Sequence, residues 1–191
     1  MDIDTCIQDE DGVSALMYAS KNPSLLFVVE YLVKDGKCLN LLDKDGNNAL
    51  IYALNNINAL NILLKTDIDI NNKNSNNESI ILYCCKYDIY EPIPILTDRK
   101  DINVNVMDNE ERTPAMYLGE KARKDEFLWL NKRDCNYNFK NKNNESALSH
   151  IINSMYLSEN YSKSGTFIQC IKMIISLVHF GCDFNYPIDE A

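Results

Sequence analysis

Short apolar clusters return along the chain at an interval near 33 residues, each behind a polar stretch rich in Asp, Asn and Gly. The segment Asp9–Ser20 (DEDGVSALMYAS) lies over Asp43–Leu54 (DKDGNNALIYAL) in a single register. The same frame takes in Asn74–Cys85 (NSNNESIILYCC), Asp108–Gly119 (DNEERTPAMYLG) and Asn141–Ile152 (NKNNESALSHII). The hydroxyl or amide positions Ser14, Asn48, Ser79, Thr113 and Ser146 are spaced by 34, 31, 34 and 33 residues. A second marker agrees: Asn40, Asn71, Asn105, Asn138 and Asn185 follow at 31, 34, 33 and 47. Each unit therefore predicts a tight turn, because Gly and Asn tolerate positive φ. The Ser, Thr or Asn after it is an N-cap for a short helix. That helix packs Leu16 and Ala19, Leu50 and Ala53, or Ile81 and Cys84 against neighbouring units. A second, antiparallel helix follows, with Val28, Val29, Tyr31 and Leu32 in the first unit. No unit buries both of its faces alone, so stacking must create the core.

Two units depart from the pattern. Pro92 and Pro94 fall where the second helix of unit three should begin, which predicts a short helix starting near Pro92. Unit five carries an insertion of about 14 residues between Ile152 and Phe180. It reads as a polar loop, Ser158–Gly165, then an apolar-rich helix from about Thr166 to His179. The frame gives one repeat domain over 1–191: a partial unit 1–8, then repeats near 9–42, 43–73, 74–107, 108–140 and 141–188. The chain opens on the tail of a unit (Asp2–Cys6 aligns with Asp67–Asn71) and stops within a turn, without polar capping helices. The expectation is a segment of a longer array or larger protein, able to self-associate through uncapped ends.

The pattern resembles the ankyrin repeat family. Its carriers are the Asp-x-x-Gly turns Asp9–Gly12 and Asp43–Gly46, the Thr113-Pro114 corner, the Ala-Leu-x-Tyr-Ala stretches and the late Asn. The turn glycine is replaced by Asn77, Glu111 and Asn144, the Thr-Pro pair is intact once, and the family's Gly-His between helices is absent. The resemblance implies an all-α ankyrin-repeat solenoid of stacked helix-turn-helix units with short β-turn or hairpin loops. It also implies a module or scaffold that binds a partner protein or peptide on its concave face. The alternative is the substrate-targeting region of a larger enzyme or effector whose catalytic domain lies outside this segment.

Composition narrows the function classes. A chain of 191 residues, 46% hydrophobic and 25% charged, can fold around a core without staples. A net charge of −9 disfavours a role in gripping phosphate backbones, so nucleic acid is not an expected partner. The seven cysteines are odd in number and form no Cys-x-x-Cys, and read as reduced thiols of an intracellular, cytoplasmic protein, a nuclear one being compatible. No signal peptide appears, and the longest apolar run, Met173–Phe180, is far short of the ~20 residues of a membrane span.

Candidate chemistry is thin. Asp43–Asn47 resembles a calcium loop, but the Gly falls at position 4 and no Glu follows at 12. His150 and His179 are the only histidines, and His179 with Cys182 is too few ligands for zinc. No glycine-rich phosphate cradle is present. The expectation is binding without catalysis and without cofactor or metal. Three sequons, at Asn77, Asn144 and Asn160, read as incidental.

By register, the resemblance places the partner-binding face at the hairpin tips and first-helix ends. Unit one contributes Glu10, Asp11, Lys21 and Asn22, and unit two Lys44, Asp45, Asn55 and Asn56. Unit three adds Lys86 and Tyr87; unit four adds Asn109, Glu110, Arg112, Glu120 and Lys121; unit five adds Lys142 and Asn143. The face is nearly neutral, and its C-terminal part is mildly basic (Arg112, Lys121, Lys140, Lys142), which suggests an acidic peptide there. Tyr87 is the best aromatic anchor. Tyr18, Tyr52, Tyr83 and Tyr117 recur at one register position and are read as packing, as is Trp129.

Overall fold

A computed structural model describes residues 4–157, 165–182 and 184. The loop expected at Ser158–Gly165 falls, up to its last residue, outside them, as does the last marker, Asn185. The described residues form helix pairs without strands. In order they are α1 (Ala15–Lys21), α2 (Leu26–Asp35), α3 (Ala49–Tyr52), α4 (Ile57–Leu63), α5 (Ile80–Lys86) and α6 (Ile93–Asp98). Then come α7 (Pro114–Glu120), α8 (Lys124–Leu130), α9 (Ala147–Leu157) and α10 (Gly165–His179). The fold class is all-α, in the repeated helix-pair arrangement that the resemblance implies.

The chain divides into two compact units, Met1–Asn103 and Val104–Ala191. In the first, α1 packs on α3 and α2 on α4, so one repeat covers the next. Its core is Leu16, Met17, Ala19, Val29, Leu50, Leu60, Leu63, Ile81 and Cys84, all nearly inaccessible. In the second, α7 packs on α9 and α8 on α10, around Met116, Leu118, Phe127, Leu130, Ile151 and Met173. The fit is close: a Cβ on Gly119 would lie 3.0 Å from Ile151 Cγ1 and 3.1 Å from the Ala147 carbonyl.

Five identical turns begin the repeats. In each, an Asp or Asn side chain accepts from two backbone N–H groups, two and four residues on. Asp9 Oδ1 takes Asp11 and Val13, Asp43 takes Asp45 and Asn47, and Asn74 takes Asn76 and Glu78. Asp108 takes Glu110 and Arg112, and Asn141 takes Asn143 and Glu145. The fourth residue is left-handed in every turn: Gly12 (φ 77°), Gly46 (78°), Asn77 (61°), Glu111 (58°) and Asn144 (63°). Losing the family glycine has not changed the turn. The side-chain caps expected at Ser14, Asn48 and Thr113 are present. Ser79 keeps the extended backbone of a cap, but its buried hydroxyl has no partner.

The turn glycine has a second reason besides φ. Successive tips hydrogen-bond, Lys44 N–H to the Asp11 carbonyl at 2.9 Å and Ser75 N–H to the Asp45 carbonyl at 2.7 Å. A Cβ at Gly12 or Gly46 would stand 3.1 Å from that neighbouring backbone. After Glu111, the equivalent bond from Lys142 N–H to the Glu110 carbonyl stretches to 3.5 Å. Glu111→Gly should therefore raise stability by about 1 kcal/mol, relieving a left-handed non-glycine residue against the added freedom of the unfolded chain. Urea unfolding of the two proteins checks this; an unchanged or lower midpoint counts against it.

The late asparagines form a ladder between repeats. Asn40 Oδ1 accepts from Asp69 N–H (2.7 Å), Asn71 from Asn103 (2.8 Å) and Asn105 from Asn136 (2.7 Å). Their Nδ2 groups donate to the carbonyls of Asp67, Asp101 and Asp134. One expectation fails here. Seven reduced thiols were expected, but Cys6 and Cys38 form a disulfide with Cα atoms 5.3 Å apart. The register explains the pairing: Cys6 holds the ladder-asparagine position, and Cys38 holds the position of the residues whose N–H groups donate to those asparagines, Asp69 and Asn103. The other five cysteines are free, with Cys84, Cys85 and Cys170 buried.

The prolines act as predicted: α6 follows Pro92 and is only six residues long. The helix expected from about Thr166 runs from Gly165 to His179.

Candidate functional site

Within each unit, the turns set out the tip residues expected on the binding face. Because each turn is locked by its Asp or Asn carbonyl or carboxylate, the two residues at its tip point outward. Glu10, Asp11, Lys44, Asp45, Asn109, Glu110, Lys142 and Asn143 are all exposed. At the first-helix ends Lys21, Asn22, Asn55, Tyr87, Glu120 and Lys121 are exposed, and Lys86 and Arg112 are half-buried. Asn56 is placed differently. It is 4% exposed, caps α4 and donates Nδ2 to the Ser20 carbonyl at 3.0 Å, so it joins repeats and offers nothing to a partner. Asn22 also caps, accepting from Ser24 N–H at 3.0 Å.

Within Met1–Asn103 the most organised patch surrounds Glu78. Its carboxylate is 1% exposed and accepts from Lys86 Nζ (2.6 Å), Tyr87 Oη (3.1 Å) and Asn74 Nδ2 (3.0 Å). The Tyr87 ring lies 4.5 Å from that of Tyr83, with the Lys86 ammonium 5.6 Å from its centre. Burial, then the Glu78 carboxylate, pushes the Tyr87 phenol upward. With 46% of its surface open, Tyr87 is an aromatic side chain held in one pose before any partner arrives. Register puts Glu78 on the same face as Tyr87, as an exposed acid; the structure buries it beneath the tyrosine as its support, and the signal was a Glu in the turn with Lys and Tyr eight and nine residues on.

The recurrent tyrosines have a task the sequence did not reveal. Tyr18, Tyr52 and Tyr117 donate to Asp9, Asp43 and Asp108 at 2.7, 2.8 and 2.6 Å, tying each first helix to its own turn. In unit three the turn residue is Asn74, and Glu78 gathers the neighbouring Tyr87 hydroxyl instead.

Within Val104–Ala191, Arg112 lies 4.1 Å over the Tyr117 ring and pairs with Glu120. A groove of about 520 Å³ opens beside it, lined by Arg112, Glu120, His150, Asn153, Ser154, Leu157 and Thr166. Lys142 sits 3.6 Å from Glu110. Two of the four basic residues expected to favour an acidic peptide thus already face carboxylates, and the geometry gives that preference no support. Among the described residues no group of His, Cys, Asp or Glu could hold a metal ion, and no helix is long and apolar enough to cross a membrane.

The groove holds a buried histidine, His150. It is 9% exposed, and its Nε2 has no hydrogen-bond partner, with Glu145 Oε2 3.8 Å away. Burial, then the Arg112 charge, lowers its pKa from 6.5, against the opposing pull of Glu145 and Glu120. The unfolded chain then binds the proton first, so stability is full above pH 6.5 and falls as pH drops toward the lower folded value. His150→Gln should flatten the melting temperature between pH 7 and about pH 5.5. The hydrogen-bonded carboxylates Asp9 and Glu145, lowered from 3.8 and 4.5, act only in more acid solution. An unchanged slope in the variant would assign that window elsewhere.

Residues 1–74 match the family model for ankyrin repeats, in three copies. An ankyrin repeat protein of Acanthamoeba polyphaga mimivirus is 24% identical over 184 residues, 89% of this chain and 24% of that protein. The chain spans about a quarter of the length of the curated relative it matches.

Proposed function

We propose that this chain, an ankyrin-repeat protein, is an interaction module that binds a partner protein or peptide on the face of its hairpin tips and first-helix ends, the concave face of the family. The observation that carries the reading is the repeated turn. Five times the backbone is held by the same side-chain bonds, while the two tip residues change from Glu-Asp to Lys-Asp, Ser-Asn, Asn-Glu and Lys-Asn. A fixed backbone bearing varied, exposed side chains suits recognition, since little ordering remains for binding to impose. No catalytic step or cofactor is needed.

A second reading has its own support. Since the relative is about four times longer than the matched segment, these repeats could select substrates for a domain elsewhere in a larger protein. The two differ in what accompanies binding: a module releases its partner unchanged, whereas a targeting region delivers it to chemistry.

The test is capture with the purified chain, identification of the partner, and titration with that partner in pure form. Tyr87→Ala should weaken binding by ~10-fold or more, the range of an aromatic hot spot. Circular dichroism confirms folding, which the exposed position favours. Equal affinity of variant and wild type would remove Tyr87 from the site, and equal affinity after replacing the tip residues too would remove the face.

A further inference from the structure

We infer that the groove within Val104–Ala191 receives an uncharged carboxamide, the side chain of an asparagine or glutamine on a partner segment. This rests on the reading above, since Arg112 and Glu120 belong to the proposed binding face, and it names what that face recognises here.

The groove is lined from the turn before α7, from α7 and α9, and from the first turn of α10. Its volume of about 520 Å³ is in the range of sites that enclose a ligand. Two polar atoms of the lining lack partners. His150 Nε2 and Arg112 Nε are both buried and make no hydrogen bond among the described residues. A buried polar group left unpaired costs free energy that a matching ligand group recovers. The rest of the lining is uncharged apart from Glu120: Asn153, Ser154 and Thr166 offer an amide and two hydroxyls, and Leu157 an apolar side chain.

Charge decides which group suits the site. Among the described residues, Arg112, Glu145 and Glu120 are the charges that act on His150. Arg112 pairs with Glu120 over the Tyr117 ring, and Glu145 accepts from Asn141 Nδ2 at 2.8 Å. Burial and the Arg112 charge keep the imidazole neutral at pH 7. A ligand ammonium or guanidinium would be repelled by Arg112. It only donates, so it also needs the tautomer whose Nε2 is bare. A ligand carboxylate would be repelled by Glu120 and Glu145. It only accepts, so it needs the other tautomer. A carboxamide adds no charge and leaves the Arg112–Glu120 pair intact. Its N–H donates to a bare Nε2 and its carbonyl accepts from an Nε2–H, so either neutral tautomer is satisfied. A hydroxyl both donates and accepts, but through one oxygen. The amide has two arms for the two unpartnered atoms, its carbonyl accepting from Arg112 Nε–H while its N–H serves His150.

Capped tripeptides test this, with alanine at both ends and glutamine, asparagine, glutamate, lysine, serine or alanine in the middle. His150 and His179 are the only histidines, so the imidazole NMR signals report the groove with an internal control. His150→Phe identifies the His150 signal by its loss. At pH 7 the two amide peptides should shift that signal and bind ~10-fold more tightly than the other four, the gain from one or two hydrogen bonds to buried groups. His150→Phe should erase the preference for glutamine over alanine. Asn153→Ala, at an exposed position, should keep the fold and weaken the amide peptides by about 3-fold. If His150→Phe misfolds, which circular dichroism shows, the wild-type series and Asn153→Ala still decide. Tighter binding of the glutamate or lysine peptide would overturn the proposal, as would equal affinity across the set. So would a His150 signal that the amide peptides leave in place. The titration uses no captured partner and probes only this groove. Its failure therefore leaves the Tyr87 test of the face standing, and failure of that test leaves this one.

Discussion

Truncation of Phe127 to alanine should remove about 3–5 kcal/mol of stability, the range for deleting a buried aromatic ring and leaving its cavity. Phe127 is inaccessible and among the largest fully buried side chains. Its ring stacks 4.7 Å from that of Tyr137, which in turn stacks 5.6 Å from Phe180. Tyr137 Oη also donates to the Phe127 carbonyl at 3.2 Å, so the two residues fix each other. Removing the ring strips one side of this column, and Tyr137, itself only 4% exposed, loses its packing partner. Collapse into the space is resisted because α8 is held against both α7 and α10. Phe127→Leu keeps most of the volume and should cost far less, about 1 kcal/mol. Trp129, the chain's single tryptophan and two residues along the same helix, gives a local fluorescence signal for both urea titrations. Equal midpoints for the alanine variant and wild type would mean that the column contributes nothing.

The repeat was legible because it rests on local chemistry. A turn needs a residue tolerant of positive φ, a helix start needs a cap, and a stacked helix needs apolar residues on its faces; all three recur at fixed intervals. The short α6 was likewise foretold by Pro92. What escaped was the identity of partners that sequence distance conceals. The late asparagines were visible as a marker, yet their role depends on the loop about 30 residues on, which supplies both an N–H and a carbonyl. Asn56 seemed a surface residue from its position at a helix end, but its cap geometry turns the amide inward onto Ser20. Tyr18, Tyr52 and Tyr117 were rightly taken as structural, while the aspartates nine residues before them went unnoticed as their acceptors. For the binding face, register could say which residues sit at the tips. It could not say that Glu78 is buried beneath Tyr87, or that Arg112 is already occupied by Glu120.

The same ladder yields the last expectation, at Cys6. Each internal rung is an asparagine accepting one N–H and donating to one carbonyl, worth about 1 kcal/mol net per bond. The rung at Cys6–Cys38 is covalent and closes a loop of sequence separation 32. Closure of a loop that size restricts the unfolded chain by about 3–4 kcal/mol in the chain-entropy description. Oxidised wild type should therefore unfold at distinctly higher urea than Cys6→Ala, and reductant should shift wild type while leaving the variant where it was. Cys6→Asn separates the bond from the position. Its side chain should restore the rung used elsewhere, accepting from Cys38 N–H and donating to the carbonyl of Gly36. That carbonyl belongs to a left-handed residue (φ 67°), as does that of Asp134 (φ 51°), which accepts from Asn105 in the intact rung. Cys6→Asn should then be insensitive to reductant, more stable than Cys6→Ala by about 1–2 kcal/mol, and less stable than oxidised wild type. If Asn and Ala proved equal at this position, the disulfide would be a staple placed beside the ladder. If Asn recovers part of the loss, the bond is the ladder's own rung, made in sulfur at the one place where both register positions carry cysteine.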